Sequence, residues 1–470
     1  MSGSSSHGSG NVGIGQAASA VPQKTGDDAI ANQISPVMRS VLQLQAKMTG
    51  MMMWSLKGAP GMHVGVMHKG KPYAFTVGWR DNHRGHDTED KGNYLKLRDP
   101  LSAHYLSVPT TAQLVWLLHK EKMMDAEAPI TEVLKELPPM YERLTARDLL
   151  SFQVGVNDQA VYKHLGLTVP SASVFTVNRV QKWEKEIWSP LRKKFGEVDE
   201  VKPEGCRMNV VEYLKSAGES LPRPRRIERM KGATPSHFGF CLLAAAIDRV
   251  MKKPFEDAMN HSIFNPIQTV SVHYGVPSIV KQSNTFFQPQ GGSSSHDSWM
   301  GPSIPMGDPR GSAPSIFNAS LNMYGICEDL AYLQTVAIQG TMNAIKTFPV
   351  SNHYAPFYEW GMLINPAKNT LTLMPDAFGV DCLPYCSAMY YDTEKETGAW
   401  VVANGGTPRA RLTATFGAMM NHQAFLRNVI LEGIDPEDAE VSQDVIDKLK
   451  KQADSKIFKK FFGSSRHTTM

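Results

Sequence analysis

The chain has 470 residues, 42% hydrophobic and 20% charged, with a net charge of +4. That length and balance suit one large globular domain or two ordinary ones with an ample core, and they argue against a nucleic-acid binder, which carries a concentrated basic face. No apolar run approaches the ~20 residues that span a bilayer.

The first residues, "MSGSSSHGSGNVGIGQAASAVPQKTGDDAIANQ", hold no basic start followed by an apolar stretch and no arginine before Arg39. A secretory signal and an ordinary mitochondrial presequence are therefore not expected. Residues 1–33 predict an arm that is disordered or ordered by a partner. From Ser35, "SPVMRSVLQLQAKM" predicts a helix with Pro36 in its first turn. The segments "GMHVGVMHKG" and "KPYAFTVGWRD" read as two strands joined at Lys69-Gly70-Lys71. Residues 101–165 read as mostly helical. Residues 166–232 are charged and Pro-rich, with helical pieces around Val177–Trp188 and Asn209–Ala217. A strong helix is expected within Ala233–Met259, and a long irregular loop over 283–316, a length that loops inside a domain reach mostly for a function or when disordered.

A helix follows Asn322. Then come "FYEWGMLINP", "TLTLMP", "YCSAMYYDTE" and "GAWVVANGG", strand-like segments separated by turns, and a helix at Arg411–Leu431. This order predicts a sheet in which the two ends of the sequence meet, with a helical subdomain (about 101–320) inserted between them. The domain spans 34–432. A tail, 433–470, places Val445, Leu449, Ile457 and Phe461 on one helical face among lysines, a pattern suited to a partner or a membrane surface, or to packing on its own domain.

Four stretches carry a family resemblance. They are "GMHVGVMHKGKPYAFTVGWRD", "TTAQLVWLLHKEKMMDAEAPITEVLKELP", "LTARDLLSFQVGV" and "ATPSHFGFCLLAAAIDRVMKKPFEDAMNHSIFNPI". In order and spacing they resemble the opening hairpin, the active-site helix, the Leu-Leu-x-His-x-Ser-Gly segment and the Tyr-x-Asn segment of the serine β-lactamase and penicillin-binding-protein-like family, in its class-C-type esterase branch. Later, "YGICEDLAYLQT", "DAFGVDCLPYCSAMYYD" and "AWVVANGG" resemble its last helix and active-site strands. The resemblance implies an α/β (α+β) fold: an antiparallel sheet flanked by helices, with the site between sheet and helical subdomain.

It also implies a chemistry: a Ser opening a helix, a Lys one turn later, a Tyr from the helical subdomain and a Lys- or His-x-Gly strand. The ungapped frame puts Tyr105 at the nucleophile position and Val108 at the lysine. Shifted by two, the pair becomes Ser107 and Thr110. The Tyr-x-Asn segment falls on Pro235-Ser236-His237, and the His-x-Gly segment on Phe378-Gly379-Val380. Phe152 and Val154 stand where His and Ser are expected, while Gly155 is kept. Each change replaces a polar side chain with one that packs, so the expectation is a kept fold without its catalysis.

Other candidates carry bland readings. Ser107 is the one fallback nucleophile, and His237 a helix-start capping or surface group more readily than a base. His83, His86 and Asp87 lack further ligands at metal-site spacing, and Cys382 and Cys386 read as two buried small residues. "RPRR" at 223–226 reads as a solvated loop with an acidic surface or an RNA phosphate as the alternative. Five scattered cysteines suit a reducing compartment. The expected function is a non-catalytic structural or interaction subunit of a larger intracellular assembly. It is cytoplasmic or cytoskeletal, for example axonemal, with a mitochondrial complex as the alternative. No cofactor, metal or nucleic acid is called for. Protein partners would meet the N-terminal arm, the 283–316 loop and the C-terminal helix. The alternative is a residual serine hydrolase or small-molecule binder in the old cleft.

Overall fold

The computed structural model describes residues 35–56, 59–78, 95–169, 182–197, 203–227, 232–275, 287–289, 303–305, 312–349, 355–373, 385–405, 408–436 and 443–453. Helix α1 (Pro36–Leu56) starts as its sequence asks. Ser35 Oγ accepts the Met38 N–H at 3.1 Å, and Pro36 stands where no N–H is needed. Strands β1 (Gly61–His68) and β2 (Lys71–Gly78) form the expected hairpin. Its turn puts Lys69 at φ 47 and Gly70 at φ 76, the left-handed pair that suits a tight two-residue hairpin.

The inserted region follows: β3 (Leu101–Ser102), α2 (Ser107–Lys120), α3 (Ala146–Leu150), α4 (Asp158–His164), α5 (Ser189–Phe195), α6 (Pro203–Ala217), α7 (His237–Met251), α8 (Phe255–Met259), β4 (His273–Tyr274), β5 (Phe287–Pro289), β6 (Ser303–Pro305) and β7 (Met323–Gly325). Helix α9 (Cys327–Thr347), strands β8 (Phe357–Glu359), β9 (Met362–Asn365), β10 (Thr370–Leu373), β11 (Cys386–Asp392) and β12 (Thr397–Ala403), and helices α10 (Pro408–Phe425) and α11 (Gln443–Ala453) complete the chain.

Seven strands form one sheet in the order β2-β1-β12-β11-β10-β9-β8, with antiparallel neighbours throughout. The two ends of the sequence meet at its middle, where β1 runs against β12 from Met62↔Ala403 to His68↔Thr397. Alternation sorts the faces. Met62, Val64, Val66, Ala399 and Val401 pack under α1 and α10. Met67, Trp400, Val402 and Met389 point the other way, into the core shared with α2 and α9. Gly65 faces Trp400 across the strands; a Cβ at Gly65 would come within 2.4 Å of the indole and 2.2 Å of the Tyr73 carbonyl oxygen. Only glycine lets the large ring lie flat on β1.

Several expectations need correction. Within Ala233–Met259, where a strong helix was expected, α7 is followed by a second helix: α7 ends where Lys252 turns left-handed at φ 52, and Pro254 precedes α8. A short strand, β7, precedes α9, where only a helix was expected. The 283–316 loop contains a paired ladder, β5 against β6. The "RPRR" cluster is more than a solvated loop, because Arg226 pairs with the buried Asp148 carboxylate. Cys386 lies buried in β11 as expected, whereas Cys382, His83, His86 and Asp87 lie outside the described residues. Val445 and Leu449 fall on α11, but their side chains are not described; Ile457 and Phe461 lie outside the described residues. No helix of the described residues is long and apolar enough to cross a membrane.

The helical subdomain is held by one buried cation. Arg207 on α6 is wholly enclosed and donates twice to Asp248 of α7, at 2.8 Å and 2.8 Å. It donates twice more to Glu256 of α8, at 2.9 Å and 3.1 Å. The fork geometry of a guanidinium fits this double bidentate role.

Two buried histidines are expected to lower the stability of the sheet in acid. Burial pushes His63 in β1 down to about 3, and His422 in α10 down to about 4. The unfolded chain takes up these protons near pH 6.5, the folded chain only near 3 to 4. Between those values the unfolded state therefore binds more protons, and stability falls as pH drops, by about 1.4 kcal/mol per pH unit for each histidine. Urea midpoints from pH 7.5 to 4 are expected to show this slope, and a His63→Leu/His422→Gln variant to flatten it. An unchanged slope in the variant would assign the acid loss to carboxylates instead.

Candidate functional site

The residues that the sequence resemblance aligns with catalytic positions come from the start of α2, the start of α7 and the sheet. Before α2, a single 3-10 turn spans His104–Leu106. His104 is held at φ 49, a costly conformation for a residue with a side chain, and its ring lies 3.9 Å from that of Tyr105. Tyr105 is 1% exposed. Across from it, 6.4 Å between ring centroids and nearly parallel at 21°, lies His237, the first residue of α7. Tyr105 and His237, which the sequence frames assign to the nucleophile position and the Tyr-x-Asn segment, therefore lie together in space.

Val108, at the lysine position, is buried and meets the turn between β8 and β9. In that turn Trp360 and Gly361 both take positive φ, 49 and 80. A Cβ on Gly361 would stand 2.9 Å from Val108 Cγ1 and 2.9 Å from the Pro109 nitrogen. The turn thus seats its backbone directly on the first residues of α2. Its Gly361 N–H is fixed from the other side by the Leu150 carbonyl at 2.7 Å.

Ser107 opens α2 and is fully buried. Its hydroxyl donates to the carbonyls of His104 at 2.9 Å and Leu321 at 3.2 Å. Thr110 donates to Leu106 at 2.6 Å and Thr111 to Ala319 at 2.8 Å. These three hydroxyls serve backbone carbonyls. They tie α2 to its own first turn and to the 319–321 segment.

At the start of α7, Pro235 is half-buried and hands over to Ser236, whose Oγ caps the helix by accepting the Gly239 N–H at 2.8 Å. The same hydroxyl donates to Asp158 Oδ1 at 2.7 Å. Asp158 also accepts the N–H of His237 at 2.7 Å and of Phe238 at 3.3 Å. A carboxylate there suits the positive end of a helix. Asp158 is half-buried as a residue; even so, loss of water around its carboxyl is the largest influence and pushes it up to about 7, with the three donors acting the other way. The His237 ring is turned inward and pairs through Nδ1 with Ser320 Oγ at 2.9 Å. The surface alternative expected for His237 is thus corrected: its ring is buried, and its N–H belongs to a cap supplied by Asp158.

Phe152, which the sequence resemblance aligns with a His, takes φ 54 and packs 5.0 Å from the Tyr358 ring. Gly155 is kept for a steric reason, since a Cβ there would come 2.6 Å from the Thr234 oxygen and 2.9 Å from Ser236 Cβ. Any side chain would push away the capped start of α7. Phe378 and Val380 lie outside the described residues. The sheet side of the site instead shows Tyr385, just before β11, edge-on to Tyr324 of β7 at 5.9 Å. Burial raises both phenols above their ordinary value.

Sequence reading missed Asp158, Ser320, Tyr324 and Tyr385. Asp158 follows the capping Asn157 of α4 and looks like one more first-turn acid. Nothing local marks the other three. In chemical terms the arrangement joins a buried tyrosine, a histidine paired to a serine, and hydroxyls spent on carbonyls. Among the described residues no group of three or more His, Cys, Asp or Glu is placed to hold a metal ion.

The chain is similar to a solved structure of an octameric penicillin-binding protein homologue from Pyrococcus abyssi. Identity is 15%, the match covers 83% of this chain and 76% of that one, and the TM-score is 0.51. The fold is accordingly β-lactamase/penicillin-binding-protein-like, as the sequence resemblance implied. No family model matches the chain, and no curated protein matches it.

Proposed function

We propose that this chain is a non-catalytic member of that fold, serving as a structural or interaction subunit of a larger intracellular protein assembly. The observation that carries the reading is at Val108, where catalysis needs an ammonium group beside the nucleophile. The position holds a buried valine, and the β8–β9 turn rests on it so closely that only glycine fits. Tyr105 and Ser107 support the same reading. One is packed against His237; the other gives its proton to two carbonyls. Both side chains are built into the packing at the start of α2. A role in assembly is in keeping with a fold whose similar structure is an octamer.

An active-site acylating probe such as a fluorophosphonate tests the absence of chemistry. Wild type and Ser107→Ala are expected to label equally and at background. Specific labelling of wild type, lost in the variant, would reinstate the serine-hydrolase reading. Mild purification from the native source tests the assembly role, with migration as part of a particle far larger than 52.0 kDa as the expected result.

A further inference from the structure

After α6 the chain leaves the single 3-10 turn Gly218–Ser220 and runs through Leu221-Pro222-Arg223-Pro224-Arg225-Arg226-Ile227 without helix or strand. A proline fixes its own φ at about −65° and drives the residue before it out of the helical region. Pro222 and Pro224 therefore keep this stretch extended, and Leu221 takes φ −96 and ψ 147.

Burial along the stretch repeats at every third residue. Leu221 is buried, Pro224 and Ile227 are half-buried, and Pro222, Arg223, Arg225 and Arg226 are exposed. A repeat of three is that of the polyproline II helix. One of its three edges, Leu221-Pro224-Ile227, rests on the domain. The other two, Pro222 with Arg225 and Arg223 with Arg226, face outward. We propose that this strap is a docking site for a partner domain that grips a polyproline II helix in an aromatic-lined groove edged with carboxylates, as an SH3 domain does. The proposal names a kind of partner for the interaction subunit described above, and rests on that reading.

The fold presents the strap ready-made. At its start, Ser220 Oγ pairs with His164 Nε2 at 3.0 Å, and the Leu221 side chain is sunk into the core. At its end, the Ile227 N–H donates to the Gln153 carbonyl at 2.7 Å, and Arg226 pairs with the buried Asp148. A segment already held in its docking shape loses little conformational freedom when a partner closes on it.

Charge selects the partner. Arg223 meets Glu219 at 3.4 Å with both side chains mostly in water, a pair worth little. Arg226 is occupied by Asp148. Arg225, on the same edge as Pro222, enters no ion pair among the described residues. An aromatic ring can lie on the Pro222 pyrrolidine while a carboxylate meets the Arg225 guanidinium one turn on, about 9 Å away. An RNA phosphate would take the arginines, but it leaves the edge that joins a proline to an arginine without a use.

The test measures binding of the full chain to an array of purified SH3 domains, with wild type, Pro222→Ala and Arg225→Glu side by side. At least one domain is expected to bind wild type, and to bind either variant about tenfold more weakly. Both positions are exposed, so the melting curves of the three proteins should coincide. No binding by any domain, or binding that both variants leave unchanged, would overturn the proposal. Tighter binding to a poly(U) oligonucleotide than to any domain would replace it with phosphate recognition. Mild purification of wild type and Arg225→Glu from the native source separates this proposal from the reading beneath it. A wild-type chain that runs alone removes the assembly role itself. A large particle that forms equally with both chains leaves that role standing and moves its contacts away from the strap.

Discussion

Arg207→Ala is expected to destabilise the protein by about 3–5 kcal/mol, the cost of stranding buried carboxylates without their counter-ion. Asp248 and Glu256 are 11% and 17% exposed in their side chains and share the one guanidinium. Each has a second duty that prevents it from turning away. Asp248 accepts the Phe255 N–H at 2.5 Å and so fixes the α7–α8 corner; Glu256 accepts from Asn318 at 2.7 Å. Removing the arginine therefore leaves two charges held in place with one polar neighbour each. The loss should spread beyond the packing defect, because α7 carries His237 and the Asp158-capped end of the candidate site. Urea denaturation followed by circular dichroism reads the effect. The triple variant Arg207→Met/Asp248→Asn/Glu256→Gln keeps the acceptors and drops all three charges, and should recover most of the loss. If the single variant costs less than about 1 kcal/mol, the triad is a wet surface cluster and not the staple of the subdomain.

The sequence announced what is periodic and local. The alternation of Met62, Val64 and Val66, the Lys69-Gly70 turn and the run ending at Ala403 were all legible as strands. That β1 pairs with β12, more than 300 residues away, could be inferred only from the order of the motifs, since nothing in either strand names its partner. The Lys252–Pro254 break was written in the chain too. Apolar residues resume at once at Phe255, so the chain marks the break but not that a separate helix follows it. Strand β7 is three residues long, too short for a period to show. At the site, the positions of Tyr105, Val108 and His237 came from the resemblance, and the structure brings Tyr105 and His237 together. Gly361 sits inside "FYEWGMLINP", read as one strand-like segment; the structure breaks it into β8 and β9 at this glycine, for a reason that is not local. Val108 and Pro109, some 250 positions earlier, leave no room for a Cβ. Ser320 and Asp158 are single polar residues whose importance is created by what the fold packs beside them.

Val108→Lys places a lysine where the sequence resemblance aligns one and is expected to cost the fold about 3–5 kcal/mol rather than to create chemistry. A valine that is 1% exposed, under a glycine turn, leaves no room for hydration of an ammonium group, and an unpaired buried cation is among the most destabilising of changes. Val108→Met is the control for size, expected to cost about 1–3 kcal/mol through overpacking alone. The difference between the two variants isolates the charge. It should also depend on pH in a definite sense. Burial lowers the ammonium pKa in the folded state, so the unfolded chain binds the proton more tightly, and stability of the lysine variant rises with pH up to the ordinary lysine value near 10. The gap between lysine and methionine variants should therefore narrow from pH 7 to pH 10. If lysine is tolerated as well as methionine at pH 7, water and a partner reach this position, and a nucleophile could be activated there after all. A gap that closes only at high pH means that the site is sealed by the packing of α2 against the β8–β9 turn, so that the same contact that stabilises the domain removes the place where a proton carrier would stand.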